Sequence, residues 1–261
     1  MVFEFDNLSW SYDLDTPFQK VGLDTAPMSI NSGNLVGILG ATGSGKSTFV
    51  KLVSGLLDNK IRISKNGIEL TPKDVSYVFQ QPEHQLFEES VQSELEFALD
   101  NYKITKELWP RLISDSLKSC GLSTSFLNRH PLELSGGQKR RLAIASVLVY
   151  QPKLLILDEP LAGLDAHCSK VLINTMKSYV NSETLVLWVS HDHAALLEWA
   201  DMAVVFEDQA IKFIGSVPES IALCNVADPL LRDFLTRRLK GSNTLNGREI
   251  IQELKVDCNA S

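Results

Sequence analysis

The sequence predicts a layered α/β fold with a helical lobe inserted into it, and three observations carry that prediction. Short apolar runs rich in branched residues recur at Leu35–Leu39, Val75–Phe79, Leu154–Leu157 and Thr184–Val189, each suited to a strand covered on both faces in a parallel sheet. The first run ends in a glycine-rich turn and leads into Phe49, Val50, Leu52 and Val53 at helical spacing, which gives strand, loop, helix. From about Glu88 to Val149 the periodicity is helical and no strand candidate interrupts it: Leu95, Phe97, Leu99, then Leu112, Ile113, Leu117, then Leu142, Ile144, Ala145, Leu148.

Toward the end, Met202–Phe206 and Ala210–Ile214, separated by Glu207, Asp208 and Gln209, read as a closing hairpin. Beyond Gly215 the pattern turns helical through Leu230, Leu231, Phe234, Leu235 and Leu239; the polar segment 241–247 weakens it and the final VDCNAS is expected to fray. The expected division is a main domain over 1–215, holding the lobe at about 88–149, and a helical extension over 216–261.

Composition narrows the function. A chain of 261 residues with 44% hydrophobic content suits one core-bearing unit with a side lobe. The net charge of -7 argues against nucleic acid as a partner, because holding it leans on surplus Lys and Arg. Cys120, Cys168, Cys224 and Cys258 form no CxxC pair, so neither a zinc site nor a disulfide framework is indicated. No window approaches the roughly 20 apolar residues of a membrane span, and MVFEFDNLSW lacks the basic and apolar regions of a secretory signal. Work at a membrane would therefore need a partner.

The chemistry sits at the ends of the predicted strands. Gly40-Ala41-Thr42-Gly43-Ser44-Gly45-Lys46-Ser47 fits G-x-x-x-x-G-K-[ST] between a strand and a helix, the context this anion cradle requires. Its backbone N–H groups and the positive helix end converge on phosphates. Lys46 is suited to the β and γ phosphates and the Ser47 hydroxyl to Mg2+. Asp158 and Glu159 end a buried strand, where ligands bind in open α/β sheets; Asp158 would face the metal and Glu159 would polarise water, although two acids can also cap a following helix. Ser135-Gly136-Gly137-Gln138 opens a second helix suited to phosphate, read as an amphipathic one. One cradle suffices for one nucleotide, so a second implies completion of each site by another subunit. Lys139, Arg140 and Arg141 read as a solvated or lobe-packing face in this acidic chain.

Taken in order, Gly40–Thr48, Leu134–Gln138, Leu154–Pro160, Gly163-Leu164-Asp165 and Ser190-His191-Asp192 resemble the motifs of the nucleotide-binding subunits of ABC transporters, from about Phe3 to Gly215. The resemblance implies a P-loop NTPase fold with a RecA-like core, antiparallel β elements, a helical lobe and a short C-terminal helical extension. It implies ATP and Mg2+ as cofactors, and nucleotide contacts from Gly40, Gly43, Ser44, Gly45, Lys46, Ser47 and Thr48, with Tyr12 stacking on adenine. Gln80 matches the glutamine that senses Mg2+ and water and links the site to a membrane partner. Ser135, Gly136, Gly137 and Gln138 would reach the nucleotide of an opposite subunit, Asp165 would cross the interface, and His191 would hold the γ-phosphate and Glu159 in working geometry.

A narrower resemblance rests on Phe79-Gln80-Gln81-Pro82-Glu83-His84-Gln85-Leu86-Phe87-Glu88-Glu89-Ser90-Val91, which is similar to the ATPases of energy-coupling factor transporters, importers of vitamins and of cobalt or nickel. It implies a second ATPase subunit, identical or related, and a transmembrane coupling subunit docked near Pro82–Phe97. A substrate-binding membrane subunit would be engaged indirectly, and the chain would sit peripherally on the cytoplasmic face of the membrane. The tail would add a dimerisation element. Departures from the pattern are Gln81 for Asn, Ala98 for Gly, Leu161 for Thr or Ser, and Ala166-His167-Cys168 for a Pro-containing turn. Alternatives are another class of ABC transporter and a soluble ABC ATPase of DNA repair or translation. Roughly 85 residues between Thr48 and Leu134 leave room for one lobe rather than a long coiled coil, which favours transport.

Overall fold

The computed structural model describes residues 1–13, 16–57, 62–224, 229–240 and 250. Short antiparallel strands open the chain: β1 (Val2–Phe5), β2 (Leu8–Tyr12), β3 (Lys20–Thr25) and β4 (Met28–Asn31). In β1 the pleat sends Phe3 and Phe5 inward and leaves Glu4 exposed. Then come β5 (Asn34–Gly40), α1 (Lys46–Val53), β6 (Ile63–Lys65), β7 (Ile68–Glu69) and β8 (Val75–Val78). The first sheet runs β4-β1-β6-β7, and β2 with β3 forms a separate antiparallel pair.

The lobe follows as α2 (Val91–Asn101), α3 (Trp109–Ser119) and α4 (Gly136–Leu148), with one 3-10 turn between α2 and α3 and two between α3 and α4. The chain then returns to the core through β9 (Leu154–Asp158), α5 (Ala166–Tyr179), β10 (Leu185–Val189), α6 (His193–Trp199), β11 (Met202–Glu207) and β12 (Ala210–Gly215). Helices α7 (Val217–Leu223) and α8 (Pro229–Lys240) come last.

The central sheet has the order β12-β11-β5-β10-β9-β8; every neighbouring pair is parallel except β11 with β12. Alternate residues of its inner strands feed two cores. Leu35, Leu39, Leu155, Leu157, Val186, Trp188, Ala203 and Val205 face the lobe, α5, α6 and α7. Val36, Ile38, Leu154, Ile156, Leu185, Leu187, Val204 and Phe206 face α1 and the antiparallel sheet, where the Phe49 ring packs 5.0 Å from Phe206 and 6.2 Å from Phe5. Burial on both faces explains why these strands read as unbroken apolar runs.

Three expectations need adjusting. Strand β8 stops at Val78, leaving Phe79 and Gln80 in the connecting loop, where Arg140 takes the Gln80 carbonyl that a ladder would otherwise use. Helix α4 is surrounded rather than amphipathic: Arg140, Leu142, Ala143, Ile144, Ala145 and Leu148 are all buried, because α2, α3 and β8 pack around it. Finally, α7 continues the core across the expected division at 215, since Val217, Ile221 and Cys224 join the lobe-side cluster, as does Leu235 of α8. The segment 241–247, the side chains of Leu230, Phe234 and Leu239, and the final VDCNAS lie outside the described residues. Among those residues no helix is long and apolar enough to cross a membrane.

Candidate nucleotide site

The sheet register brings the motifs together. Val189 lies opposite both Ile38 and Asp158, so the loops after β5, β9 and β10 leave the same carboxyl edge side by side, where open α/β sheets bind ligands. There they line a cleft of about 360 Å³ whose walls include Tyr12, Gly43, Gly45, Lys46, Ser47, Thr48, Gln80, Asp158, Glu159 and His191.

In the first loop Gly40, Gly43 and Gly45 have φ of 146°, 81° and 105°, and a Cβ on Gly40 would stand 2.4 Å from the Phe206 carbonyl oxygen. Gly45 is also the N-cap of α1, whose first turn presents Lys46 and Ser47. The Lys46 ammonium donates to the carbonyls of Gly40 at 2.6 Å and Ala41 at 2.8 Å. Burial lowers its pKa, against the opposing pull of Glu159 and Asp158. Two of the expected nucleotide contacts stand behind the wall rather than on it. Gly40 lets the chain pass Phe206, and Ser44 is buried with an Oγ that has no partner. Thr48 Oγ1 lies 3.0 Å from the Tyr12 hydroxyl, which pins that ring at the mouth of the cleft. Only glycine fits beneath it, since a Cβ on Gly22 would meet the ring at 2.5 Å.

These groups fit a triphosphate. An ammonium and a helix start on the cleft wall are what phosphate oxygens need. Ser47, Gln80 and Asp158 offer hard oxygen donors, and among the described residues no group of three His, Cys, Asp or Glu could hold a metal alone. A cation completed by phosphate oxygens, as Mg2+ is, suits that set.

Asp158 and Glu159 are held differently. The Tyr77 hydroxyl donates to Asp158 Oδ2 at 2.6 Å, and burial followed by this bond raises the phenol's pKa. Glu159 has φ of 47°, a costly conformation for a non-glycine residue, enforced by its N–H donating to the Val189 carbonyl at 2.9 Å. Its Oε1 accepts the His191 backbone N–H at 2.9 Å and lies 3.8 Å from His191 Nε2; Ser190 Oγ donates to Oε2 at 3.4 Å. Burial raises the Glu159 pKa, and the contacts from His191 and Ser190 oppose it. A carboxylate that is oriented yet more basic than usual is suited to accept a proton from water.

The signature residues lie off this cleft. Ser135 Oγ accepts the Gln138 N–H at 3.3 Å while Gln138 Oε1 accepts the Ser135 N–H at 2.9 Å, a reciprocal cap on α4. Gly136 and Gly137 form the first turn of that helix. Asp165 caps α5 through the Cys168 N–H at 2.8 Å. None of the five lines the cleft wall. Three further residues act here without a local sequence signal: Tyr77; Arg140, bound to the Gln80 carbonyl; and Gln209, whose Nε2 donates to the Gly43 carbonyl at 2.9 Å.

Comparison with known proteins agrees. The ABC transporter family profile matches residues 23–162. The energy-coupling factor transporter ATP-binding protein EcfA2 of Caldanaerobacter subterraneus is 38% identical over 230 residues, covering 84% of this chain and 80% of the relative. The EcfA2 of Acetivibrio thermocellus is 36% identical over 255 residues, covering 92% and 90%. Among solved structures, cbiO1 from Clostridium perfringens, described as part of the ABC transporter complex cbiONQ, matches with a TM-score of 0.72 and 28% identity, covering 85% of this chain and 90% of that one.

The chain belongs to the ABC transporter family and is an ATPase of that family. Within it, the chain is similar over most of its length to energy-coupling factor transporter ATP-binding proteins.

Proposed function

We propose that this chain powers an energy-coupling factor type importer of a vitamin or a transition-metal ion, working with a second ATPase subunit on the cytoplasmic face of the membrane. Lys46, Ser47 and Thr48 with the cradle around Gly40–Gly45 hold ATP, Tyr12 stacks on its base, and Mg2+ is met by Ser47, Gln80 and Asp158. Glu159 takes the proton of the attacking water, aided by Gln80 and His191. Ser135, Gly136, Gly137 and Gln138, with Asp165, serve the nucleotide of the opposite subunit.

One observation carries the reading. The cis groups converge on one cleft, while a second phosphate-type helix start stands apart from it with its N-terminal glycine open. Docking of a membrane partner near Pro82–Phe97 is supported by an exposed aromatic pair, Phe87 at 64% and Phe97 at 48%, with rings 4.9 Å apart. Glu94 fixes that segment by accepting the N–H groups of Phe87 and Glu88.

The test is purification in mild detergent from cells expressing the neighbouring transport subunits. A hydrophobic membrane protein should accompany the chain, and the Glu159→Gln form should close into an ATPase dimer with ATP and Mg2+. Recovery without any membrane protein would favour a soluble ABC ATPase instead, and a persistent monomer would defeat the two-subunit site.

A further inference from the structure

The guanidinium of Arg140 sits in α4 with its side chain only 5% exposed, a costly place for a charge unless partners surround it. Its partners lie on two connections: Gln80 and Glu83 between β8 and α2, and Ala162 after β9. One terminal nitrogen donates to the Gln80 carbonyl, the other to the Ala162 carbonyl, and Nε lies 3.6 Å from Glu83 Oε2.

Each partner leads to a working part. Gln80 lines the cleft. Ala162 belongs to the turn after β9, and its N–H donates to the Glu159 carbonyl at 3.1 Å. Glu83 lies in the 3-10 turn Pro82–Gln85, within the segment assigned to the membrane partner. Arg140 itself rides on the helix capped by Ser135. One planar fork therefore touches the glutamine loop, the turn of the general base and the docking segment, and belongs to the signature helix as well.

The fork is also incompletely satisfied. Arg140 Nε and Glu83 Oε2 are both buried without a hydrogen bond, so a small movement of the Glu83 segment would close or open that contact. We infer that Arg140 is a positioning residue for hydrolysis, transmitting displacement of the Glu83 segment to Gln80 and Glu159 while tying both to the signature helix. This rests on the transport reading above.

The test uses the ATPase with its co-purifying subunits and compares wild type with Arg140→Met, Arg140→Lys and Glu83→Gln. Thermal unfolding identifies the folded variants. Arg140→Met should lower kcat about tenfold or more while KM for ATP stays within about twofold, because the phosphate cradle is untouched. A lysine keeps the charge but lacks the planar fork whose separate nitrogens reach these partners, so Arg140→Lys should fall between wild type and Arg140→Met. Glu83→Gln, at a position 24% exposed, should lower kcat by about threefold and add little to Arg140→Lys, since both remove one link.

A folded Arg140 variant with wild-type kcat, or one whose ATP affinity falls as much as its kcat, would overturn the inference. Should neither Arg140 variant fold, wild-type kcat in Glu83→Gln overturns it and a reduced kcat at unchanged KM upholds it. Absence of ATP turnover in the wild-type complex would count against the transport ATPase reading rather than against Arg140.

Discussion

Two glycine-bearing helix starts in this molecule look alike in sequence and differ in what they demand. Around α1, Gly40, Gly43 and Gly45 occupy left-handed or otherwise unusual backbone, and a Cβ at Gly40 or Gly45 would press on Phe206, Leu23 or Gln209. The chain's own geometry requires glycine there. At the start of α4, Gly136 is in ordinary helix and a Cβ there would meet nothing within 4 Å. Among the described residues no contact explains that glycine, whereas a Cβ on Gly137 would meet Cys168 Sγ at 2.9 Å. The contrast separates a cradle finished within one polypeptide from a helix start whose first glycine is sterically free among the described residues, as the proposed trans role requires.

Substitutions can break that contrast, and the largest effect belongs to the cis half. Glu159→Gln should reduce ATP turnover by about 10²–10⁴-fold with nucleotide affinity retained, measured as steady-state phosphate release beside equilibrium binding. Lys46→Ala should weaken MgATP binding by roughly 10- to 100-fold, because a buried charge-assisted contact is lost. The glycine pair is the sharpest probe. Gly43→Ala, at φ of 81°, should destabilise the isolated chain by about 1 kcal/mol and weaken ATP binding, read by thermal unfolding and titration. Gly136→Ala should change neither, yet lower turnover about tenfold in the assembled complex. Equal behaviour of the two variants would erase the distinction.

Smaller effects refine it. Burial raises the Glu159 pKa, and only the deprotonated form can accept a proton, so kcat should be lost as pH falls through that raised value. The acid limb should lie above the ordinary glutamate value of about 4.3. A profile limb at that ordinary value would contradict the placement of Glu159. Gln209→Gly should relieve a non-glycine φ of 61° and leave stability equal or higher, while loss of its bond to Gly43 weakens ATP binding about twofold.

Which parts were legible in the sequence follows from the same physics. The central strands announced themselves because both faces are buried, and the cradle because its glycines and lysine are contiguous. Strands β1 to β4, β6 and β7 were not individually legible, being two to six residues long and often buried on one face only. Tyr77 and Gln209 gave no signal and Arg140 only that of a solvated or lobe-packing face, since their partners Asp158, Gly43 and Gln80 lie 81, 166 and 60 residues away. Asp165 and Ser135 show the converse: each caps its own helix, an ordinary local duty that coexists with any role across an interface.

The mooring of Glu159 has one further consequence. Its carboxylate is aimed by a main-chain amide of residue 191, and its own amide is anchored on the neighbouring strand. Aim therefore begins in the scaffold, before any side chain is counted, and the His191 imidazole, with Nε2 3.8 Å from the same carboxylate oxygen, adds its charge to a direction the backbone has already set.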